Sequence, residues 1–407
     1  MNAPQPEPDP EGEVPVWARA DAFAAAPVGF GWQDGDKRQH PCASLAELTQ
    51  AVGEDLRSRV ELVWTPAYPN LVVPEEVPEL LTALARVKRR WALDDRAEAL
   101  RRMRWLGGLA LAAALWAWWQ GGLAAIRHSV ALGMVLIAGL IFGFIPWYQA
   151  SKRLRMLTGW SAELMAGRIP EMRFETWLGR QRAPLTHGLI VVLAMAGAAQ
   201  LLVGSTDWRQ AGLIRELYLG GERWRLLTGP WLHGHPIHWI LNASALLYLG
   251  RRVEVMARWP HLLMVYLAAA VFGGLATVYR MSAVFPAARV PEKVASIGAS
   301  GAIMGLLGFL LAFETLHGRL VPVRARRRLL AGLALTGFIG ALAFAYIDNW
   351  AHAGGLLAGL IYGAIVFPRS ASPHRPRSTK LDVLAGAACG AVLLASAGWT
   401  LWRLLPV

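Results

Sequence analysis

Charged residues and cysteines are both scarce in this chain of 407 residues. Only 17% of the residues are charged, whereas an ordinary soluble domain carries about 25%. The two cysteines, Cys42 and Cys389, are far apart in sequence, and Cys389 lies in an apolar run, so a disulfide framework and a cysteine-based metal site are excluded. The chain opens with MNAPQPEPDPEGEVP, which is not a charged stretch followed by an apolar one. The sequence therefore predicts no cleavable signal peptide.

Apolar residues, by contrast, are abundant. They make up 55% of the chain, and several windows of about 20 residues contain no charge at all. Soluble, disordered and collagen-like proteins do not have such windows, which cross a lipid bilayer as helices. The sequence therefore predicts an all-α polytopic membrane protein. The predicted spans are 105–126, 129–148, 184–204, 233–250, 259–279, 298–316, 329–346, 349–367 and 381–402.

The basic residues predict the orientation of these spans. The net charge of +13 is divided among short segments that flank the apolar windows, so the partner is the lipid bilayer and not a nucleic acid. Most Lys and Arg residues share one side of the membrane if the N-terminus is cytoplasmic. We therefore expect 205–232 and 280–297 to face outward. The expected location is the bacterial inner (plasma) membrane.

The composition also divides the chain into regions. Ser44-Leu-Ala-Glu47 predicts a capping box that opens a helix in the N-terminal region. Only two residues separate the first two spans, which predicts a tight hairpin, with a re-entrant or interfacial pair as the alternative. The regions are a disordered tail (1–15), a cytoplasmic region with a basic linker (16–104), a transmembrane hairpin (105–148), a cytoplasmic linker (149–183), six spans (184–367), and a linker with an additional helix (368–407).

Ser300 is the first candidate for chemistry, because polar residues inside an apolar span are costly. It opens a span within the string Gly298-Ala-Ser-Gly301, where free backbone N–H groups at a helix start favour negative charge. Gly301, Gly305 and Gly308 give that helix a thin face, which another helix can approach closely. A capping serine on a packing face is the alternative interpretation.

His352 lies early in a later span, with Gly355 and Gly359 on its own face. Both spans begin on the same side of the membrane, so Ser300 and His352 are expected at one depth. An imidazole beside a serine hydroxyl can take its proton and return it to a leaving amine. A helix-to-helix hydrogen bond is the alternative role for this histidine. Asp348, four residues before His352, could orient it as a third member, but it is expected to cap the span or to face water, so the predicted site is a Ser–His dyad and not a triad.

His238 and Asn242 are four residues apart, and so lie on one helical face near the outer end of their span. Side-chain donors placed there can stabilise the oxyanion of an acyl-transfer reaction beside the Ser300 N–H. A zinc site formed by His233, His235 and His238 is the alternative. The absence of HExxH and of a nearby carboxylate argues against it. We expect no metal and no other cofactor.

Taken together, these motifs resemble those of the rhomboid intramembrane serine proteases. The resemblance depends on GASG (298–301), AHAGGLLAG (351–359), His233-x4-His238-x3-Asn242 and Glu222-Arg-Trp224-Arg225. It covers roughly 184–367 and implies a rhomboid-like six-helix catalytic core. The N-terminal two-helix hairpin, the small soluble N-terminal region and one extra C-terminal helix lie outside it.

The resemblance implies a role for each motif residue. Ser300 would be the nucleophile and His352 its base. The remaining roles are oxyanion-hole side chains (His238, Asn242), a residue bracing the outward loop (His233), a half-submerged loop beside the substrate's approach (Trp224, Arg225) and motif glycines (Gly298, Gly301, Gly355, Gly359). The sequence departs from the family at Met304. In the family, this position often carries an aromatic ring that stacks on the catalytic histidine.

The activity that the resemblance implies is hydrolysis of peptide bonds in or near the transmembrane segments of single-span membrane proteins. The active site would open outward. The alternative of a different class is a catalytically silent, rhomboid-like scaffold that binds membrane helices. The presence of both Ser300 and His352 argues against it, because silent relatives usually lack one of them. A transporter is a third possibility, but it predicts internal repeats, and the sequence has no convincing repeat.

Overall fold

A computed structural model describes residues 14–55, 59–159, 165–202, 210–279, 295–342 and 347–404. Most of the predicted disordered tail (1–15) and most of the predicted outward segment 280–297 lie outside the described residues. Helices predominate, which confirms the predicted all-α polytopic class. The chain forms two compact units, one from Trp17 to Trp177 and the other containing Leu178–Val407.

The first unit begins with a small sheet and a helix. Helix α1 (Leu45–Gly53) buries Leu48 and Val52 in a cluster that also contains Val63 of the sheet. Its predicted cap is present, since Ser44 Oγ accepts a hydrogen bond from the Glu47 N–H at 3.3 Å. The sheet has three antiparallel strands in the order β2-β1-β3, namely β1 (Phe30–Gln33), β2 (Gln39–Cys42) and β3 (Leu62–Trp64).

The rest of this unit is dominated by one long helix. Helix α2 (Leu81–Arg127) joins the basic stretch and the first predicted span without interruption until Gly121 and Gly122, which leave the helical conformation. The chain then returns antiparallel to α2, because Asp95 pairs with Arg153 at 2.9 Å. The returning segment contains α3 (Val130–Ala138), a π-helical stretch (Gly139–Phe144) and α4 (Ile145–Thr158), and α5 (Ile169–Arg180) follows it.

The second unit is a helical bundle interrupted by one long loop. We call residues 210–232 the active-site loop; it contains two short helices and a 3-10 turn (Gly229–Trp231). The helices of this unit are α6 (Pro184–Leu202), α7 (Arg215–Leu219), α8 (Arg225–Thr228), α9 (Pro236–Ala257), α10 (Trp259–Tyr279), α11 (Ser300–Leu316), α12 (Val323–Leu342), α13 (Asn349–Val366) and α14 (Lys380–Leu404).

Five helices of the described chain are both long and apolar enough to cross a membrane. The other four predicted spans coincide with α9, α11, α12 and α13, of which α11 is apolar but short. Arginines at the ends of α9 and α12 lower the hydropathy of those helices. The five helices are Pro78–Arg127, Ala131–Thr158, Pro184–Leu202, Trp259–Tyr279 and Lys380–Leu404.

Helix α9 continues to Ala257, although the sequence places its end near residue 250. Arg252 lies in the added turns and is fully buried beside Glu314 of α11. Its Nε and Nη2 donate hydrogen bonds to the two carboxylate oxygens at 2.5 and 2.9 Å. A buried charge is tolerated when it is paired in this way. The helix therefore continues past Arg252, although the sequence places this arginine in a loop.

Helices α11 and α13 meet along a line of glycines that we call the glycine seam: Gly301 and Gly305 of α11 with Gly355 and Gly359 of α13. A methyl group at Gly355 would overlap the carbonyl oxygen of Gly301, and one at Gly359 would overlap that of Gly305. The two backbones therefore touch directly. The thin faces predicted from the glycine spacing face each other.

Candidate active site

Ser300 is the first residue of α11. The segment that leads into it is held by backbone hydrogen bonds, because Ser296 and Leu213 exchange N–H···O bonds at 2.8 and 3.2 Å. Gly298 has φ +117°, in the region that favours glycine, and its N–H donates to the Gly229 carbonyl at 3.1 Å. The active-site loop thus fixes the backbone just before the predicted nucleophile.

His238 and Asn242 lie on the first turns of α9, against this same segment. A methyl group on Gly298 would lie 2.6 Å from His238 Cε1 and 3.5 Å from Asn242 Nδ2. Asn242 is buried, and its Nδ2 has no hydrogen-bond partner among the described residues. A buried donor without a partner is costly, so the Asn242 amide is available to donate to a bound group. It lies beside Gly298, which is two residues before Ser300 in the chain.

His352 lies in the first turn of α13. A methyl group on Gly301 would lie 3.3 Å from the Ala351 carbonyl oxygen, so the neighbours of Ser300 and His352 touch each other. His352 also lies within electrostatic range of His238. In the described part of the chain, no hydrogen bond joins the Ser300 hydroxyl to the His352 ring. The structure therefore brings the two backbones together without a hydrogen bond between the two side chains.

Asp348 caps α13, as the sequence predicts, and does more. Its Oδ1 accepts from the Ala351 N–H at 3.0 Å. Its Oδ2 accepts from the Ser296 hydroxyl at 2.5 Å and from the Thr277 hydroxyl at 2.7 Å. One carboxylate therefore links the start of α13 with α10 and with the segment before Ser300. The sequence gives no signal for the Ser296 and Thr277 contacts.

His233 is buried, and its ring packs against that of His238 with centroids 5.1 Å apart. Its backbone is held by Gln200 of α6, whose Oε1 accepts from the His233 N–H at 2.9 Å and whose Nε2 donates to its carbonyl at 3.3 Å. His235 instead caps α9, because its Nδ1 accepts from the Ile237 N–H at 3.2 Å. Sequence reasoning missed Gln200, which lies 33 residues from its partner.

Arg225 braces the active-site loop from inside. It is buried, its Nε donates to a Glu222 carboxylate oxygen at 2.6 Å, and its Nη1 donates to the Gly212 carbonyl at 2.8 Å. Gly212 directly precedes Leu213, the partner of Ser296. Trp224 lies beside it, with the guanidinium of Arg225 4.6 Å from the ring centroid.

Met304 is buried one turn along α11 from Ser300. It occupies the position at which the sequence departs from the family pattern. The remaining predicted glycines, Gly355 and Gly359, lie in the glycine seam just beyond His352. Most of the predicted residues therefore lie near the start of α11, on α9, α11, α13 and the active-site loop, and His233 lies between that loop and α9.

Comparison with known proteins places this site in a matched region. A Rhomboid domain model matches residues 220–369, a range that contains Ser300 and His352. RHOMBOID-like protein 6, mitochondrial, of Arabidopsis thaliana is 34% identical over 167 residues, which are 40% of this chain and 48% of that protein. Rhomboid protease GluP of Bacillus subtilis is 35% identical over 144 residues, 35% of this chain and 26% of that protein.

Rhomboid protease GlpG of Haemophilus influenzae is 30% identical over 146 residues, which are 35% of this chain and 70% of that protein. The chain spans about half or less of the length of the Arabidopsis relatives that it matches. The similarity is thus concentrated in the helical bundle that carries the site. Both the hairpin α2–α4 and helix α14 lie outside the matched residues 220–369.

Proposed function

The chain belongs to the rhomboid family, and on that premise we propose that it is an intramembrane serine protease that uses a Ser300–His352 dyad. Its substrates are single-span membrane proteins, cut in or near their transmembrane segments. The observation that carries the proposal is the convergence of α9 and α13 on Gly298–Gly301, at the start of α11. Asn242, His238 and Ala351 all lie against that short segment.

In the proposed reaction, the Ser300 hydroxyl attacks the carbonyl carbon of the substrate and passes its proton to the His352 ring. His352 then gives that proton to the leaving amine, and water releases the acyl group by the reverse sequence. The hydrogen bond between the two side chains forms when substrate binds, since catalytic pairs are often long or poorly aligned in unliganded enzymes. The contact between Gly301 and Ala351 supports this, because it keeps the chain next to Ser300 close to the chain next to His352.

The negative charge that develops on the substrate carbonyl needs donors. Asn242 Nδ2 has no hydrogen-bond partner among the described residues and lies beside Gly298, which supports its role in an oxyanion hole. His238 lies against the same glycine, and the free backbone N–H groups at the start of α11 add to it. Removal of one such donor typically lowers the rate by about 10²–10³.

A substrate helix hides its carbonyl groups in internal hydrogen bonds, so it must unwind before Ser300 can attack. Glycine and other poor helix formers near the cut lower that cost. Hydrolysis also needs water, which the bilayer interior lacks, so the site must line a polar cavity that opens to one surface. We therefore propose specificity for small side chains in weakly helical transmembrane segments.

We propose a cytoplasmic N-terminus and a site that opens to the opposite side of the membrane. The distribution of basic residues among the segments between spans supports this orientation. We propose the bacterial inner membrane as the location; the relatives include two bacterial rhomboid proteases and an Arabidopsis protein that is named as mitochondrial. The integral membrane character itself follows from the apolar helices.

A silent scaffold remains the second candidate, because the described residues contain no Ser300–His352 hydrogen bond. The test is cleavage of a labelled single-span substrate by the purified full chain in lipid vesicles, together with labelling by a fluorophosphonate probe, which reacts with an activated serine. We expect Ser300→Ala and His352→Ala to abolish both signals. Ser244→Ala, on an exposed face of α9, should retain both. Equal cleavage by the parent and Ser300→Ala would overturn the serine mechanism, and no labelling of the parent would favour the scaffold.

A further inference from the structure

Helix α14 lies beyond the matched residues 220–369, yet its last turns pack on the active-site loop. Trp231 Nε1 donates a hydrogen bond to Ser396 Oγ at 2.9 Å, and both side chains are buried. Ser396 Oγ in turn donates to the Leu393 carbonyl at 2.8 Å. The hydroxyl therefore acts as acceptor and donor at once, and holds the indole in one orientation.

Three more contacts join α14 to the same loop. The rings of Trp399 and Trp224 meet edge to face, with centroids 6.2 Å apart. The Arg403 guanidinium lies 5.2 Å from the Trp224 centroid, and its Nε donates to the Gln210 carbonyl at 3.4 Å. These contacts hold both ends of the loop, since Gln210 lies at its start and Trp231 near its end.

The end of α14 also reaches the segment before Ser300. Leu404 is buried in a cluster with Ala211 and Leu232, and Ile297 packs against that cluster. Ile297 lies three residues before Ser300. The loop also contacts this segment directly, because the Gly298 N–H donates a hydrogen bond to the Gly229 carbonyl at 3.1 Å. The position of α14 is thus coupled to the start of α11 by apolar packing and by hydrogen bonds.

The other end of α14 is fixed to the bundle. A methyl group on Gly386 would lie 2.6 Å from Pro260 Cα, so α14 and α10 are in backbone contact there. At the end of α14 that contacts the loop, Thr400 is fully buried, and its hydroxyl donates to the Ser396 carbonyl at 2.8 Å. An anchor that only holds a protein in lipid needs neither a buried polar pair nor a glycine contact, because apolar residues facing the lipid suffice.

We propose that α14 is a positioning element of the active site, which acts through the Ser396–Trp231 hydrogen bond to hold the active-site loop and, with it, the backbone that presents Ser300. Ser396 and Trp231 are positioning residues and do not touch substrate. The inference rests on the proposed protease function. It gives the extra C-terminal helix a task in the reaction beyond membrane anchoring.

The test uses the full chain in lipid vesicles and a cycle of Ser396→Ala, Trp231→Phe and the double variant. Each single change removes one partner of the same bond, so we expect each to lower kcat about three- to tenfold with little change in KM. The double variant should lose no more than the larger single loss, because the bond can be lost only once. Ser396→Thr keeps the hydroxyl and should restore kcat.

A second measurement does not depend on cleavage. Amide hydrogen exchange in the active-site loop and in 295–299 should become faster in Ser396→Ala and return to the parental rate in Ser396→Thr. The matched control is Leu394→Ala, whose side chain is 65% exposed on the outer face of α14. Leu394→Ala should change neither kcat nor amide exchange, although it removes more apolar surface than Ser396→Ala does.

The outcomes separate the two proposals. Parental kcat and parental exchange in Ser396→Ala would overturn the role of α14, as would fully additive losses in the double variant. A parent chain that neither cleaves nor reacts with the fluorophosphonate would overturn the protease function. Exchange would still decide in that case whether α14 holds the loop.

Discussion

Two walls of the site are built on opposite principles. The glycine seam brings α11 and α13 together by removing side chains, so that the backbones beside Ser300 and His352 touch. The active-site loop, in contrast, is held by buried polar side chains: Arg225, Thr228, Trp231 and their carbonyl, carboxylate and hydroxyl partners. The seam fixes how close the backbones that carry the two predicted catalytic groups lie. The loop fixes the direction of the chain that leads into Ser300.

The two walls should therefore fail differently. A side chain added to the seam must force two helices apart, which affects the whole bundle. A polar group removed from the loop leaves the bundle in place but frees the backbone before α11. In the first case, the free energy of unfolding and the rate of cleavage should fall together. In the second case, the rate of cleavage should fall much more than the free energy of unfolding.

The largest effect is expected from Gly355→Val. Its methyl groups would overlap the Gly301 carbonyl, so we expect cleavage to be lost and the free energy of unfolding to fall by about 3 kcal/mol or more. Denaturant unfolding and substrate cleavage measure the two quantities. Gly332→Val in α12, where an added Cβ meets nothing within 4 Å, is the control. Parental cleavage by Gly355→Val would mean that the seam is not needed.

Arg225→Ala should have the next largest effect. It removes the hydrogen bonds to Glu222 and to the Gly212 carbonyl, and a buried carbonyl without a partner costs about 1–3 kcal/mol. We expect cleavage to fall roughly tenfold to hundredfold, with faster amide exchange at 210–213 and less change in unfolding than Gly355→Val causes. Arg223→Ala, on the exposed side of the loop, should be near parental. A larger loss in that control would contradict the assignment.

The smallest effect is expected from Asp348→Asn. The amide oxygen can still accept from the Ala351 N–H, but the amide nitrogen that replaces Oδ2 is a donor and can accept from neither the Ser296 nor the Thr277 hydroxyl. We expect cleavage to fall about three- to tenfold, the contribution of about one hydrogen bond. Asp382→Asn changes the capping box of α14, where Oδ2 accepts from the N–H and the hydroxyl of Thr379, and should leave cleavage unchanged. Equal losses in both variants would remove the distinction.

The same contrast explains what could be predicted from the sequence. The seam follows from the spacing of Gly301, Gly305, Gly355 and Gly359, and the caps at Ser44 and Asp348 follow from local patterns, because each depends on residues within a turn or two. The contacts of the loop do not. Trp231 and Ser396 are 165 residues apart, and Gln200 and His233 are 33 apart, and no local pattern marks a residue that pairs over such a distance.

The helix ends show the same limit. Arginine is a reasonable sign that a span has ended, and on that basis α9 was expected to stop near residue 250. It continues to Ala257 because Arg252 is neutralised by Glu314. The sequence of α9 alone contains no trace of that carboxylate. The positions of single side chains around Ser300 depend on the same kind of long-range packing, and so does the absence of a hydrogen bond to His352. These details follow from the structure and could not be predicted from the sequence.

The buried pair of Arg252 and Glu314 also bears on how the bundle is assembled. The ribosome makes Arg252 62 residues before Glu314, so α9 is synthesised before the carboxylate that neutralises Arg252 in the folded protein. The long side chain of Arg252 can meanwhile extend toward the lipid headgroups, where water and phosphate stabilise it. Only after α11 has been synthesised can the guanidinium withdraw into the bundle. The final docking of α9 is thereby delayed until the helix that bears Ser300 has arrived.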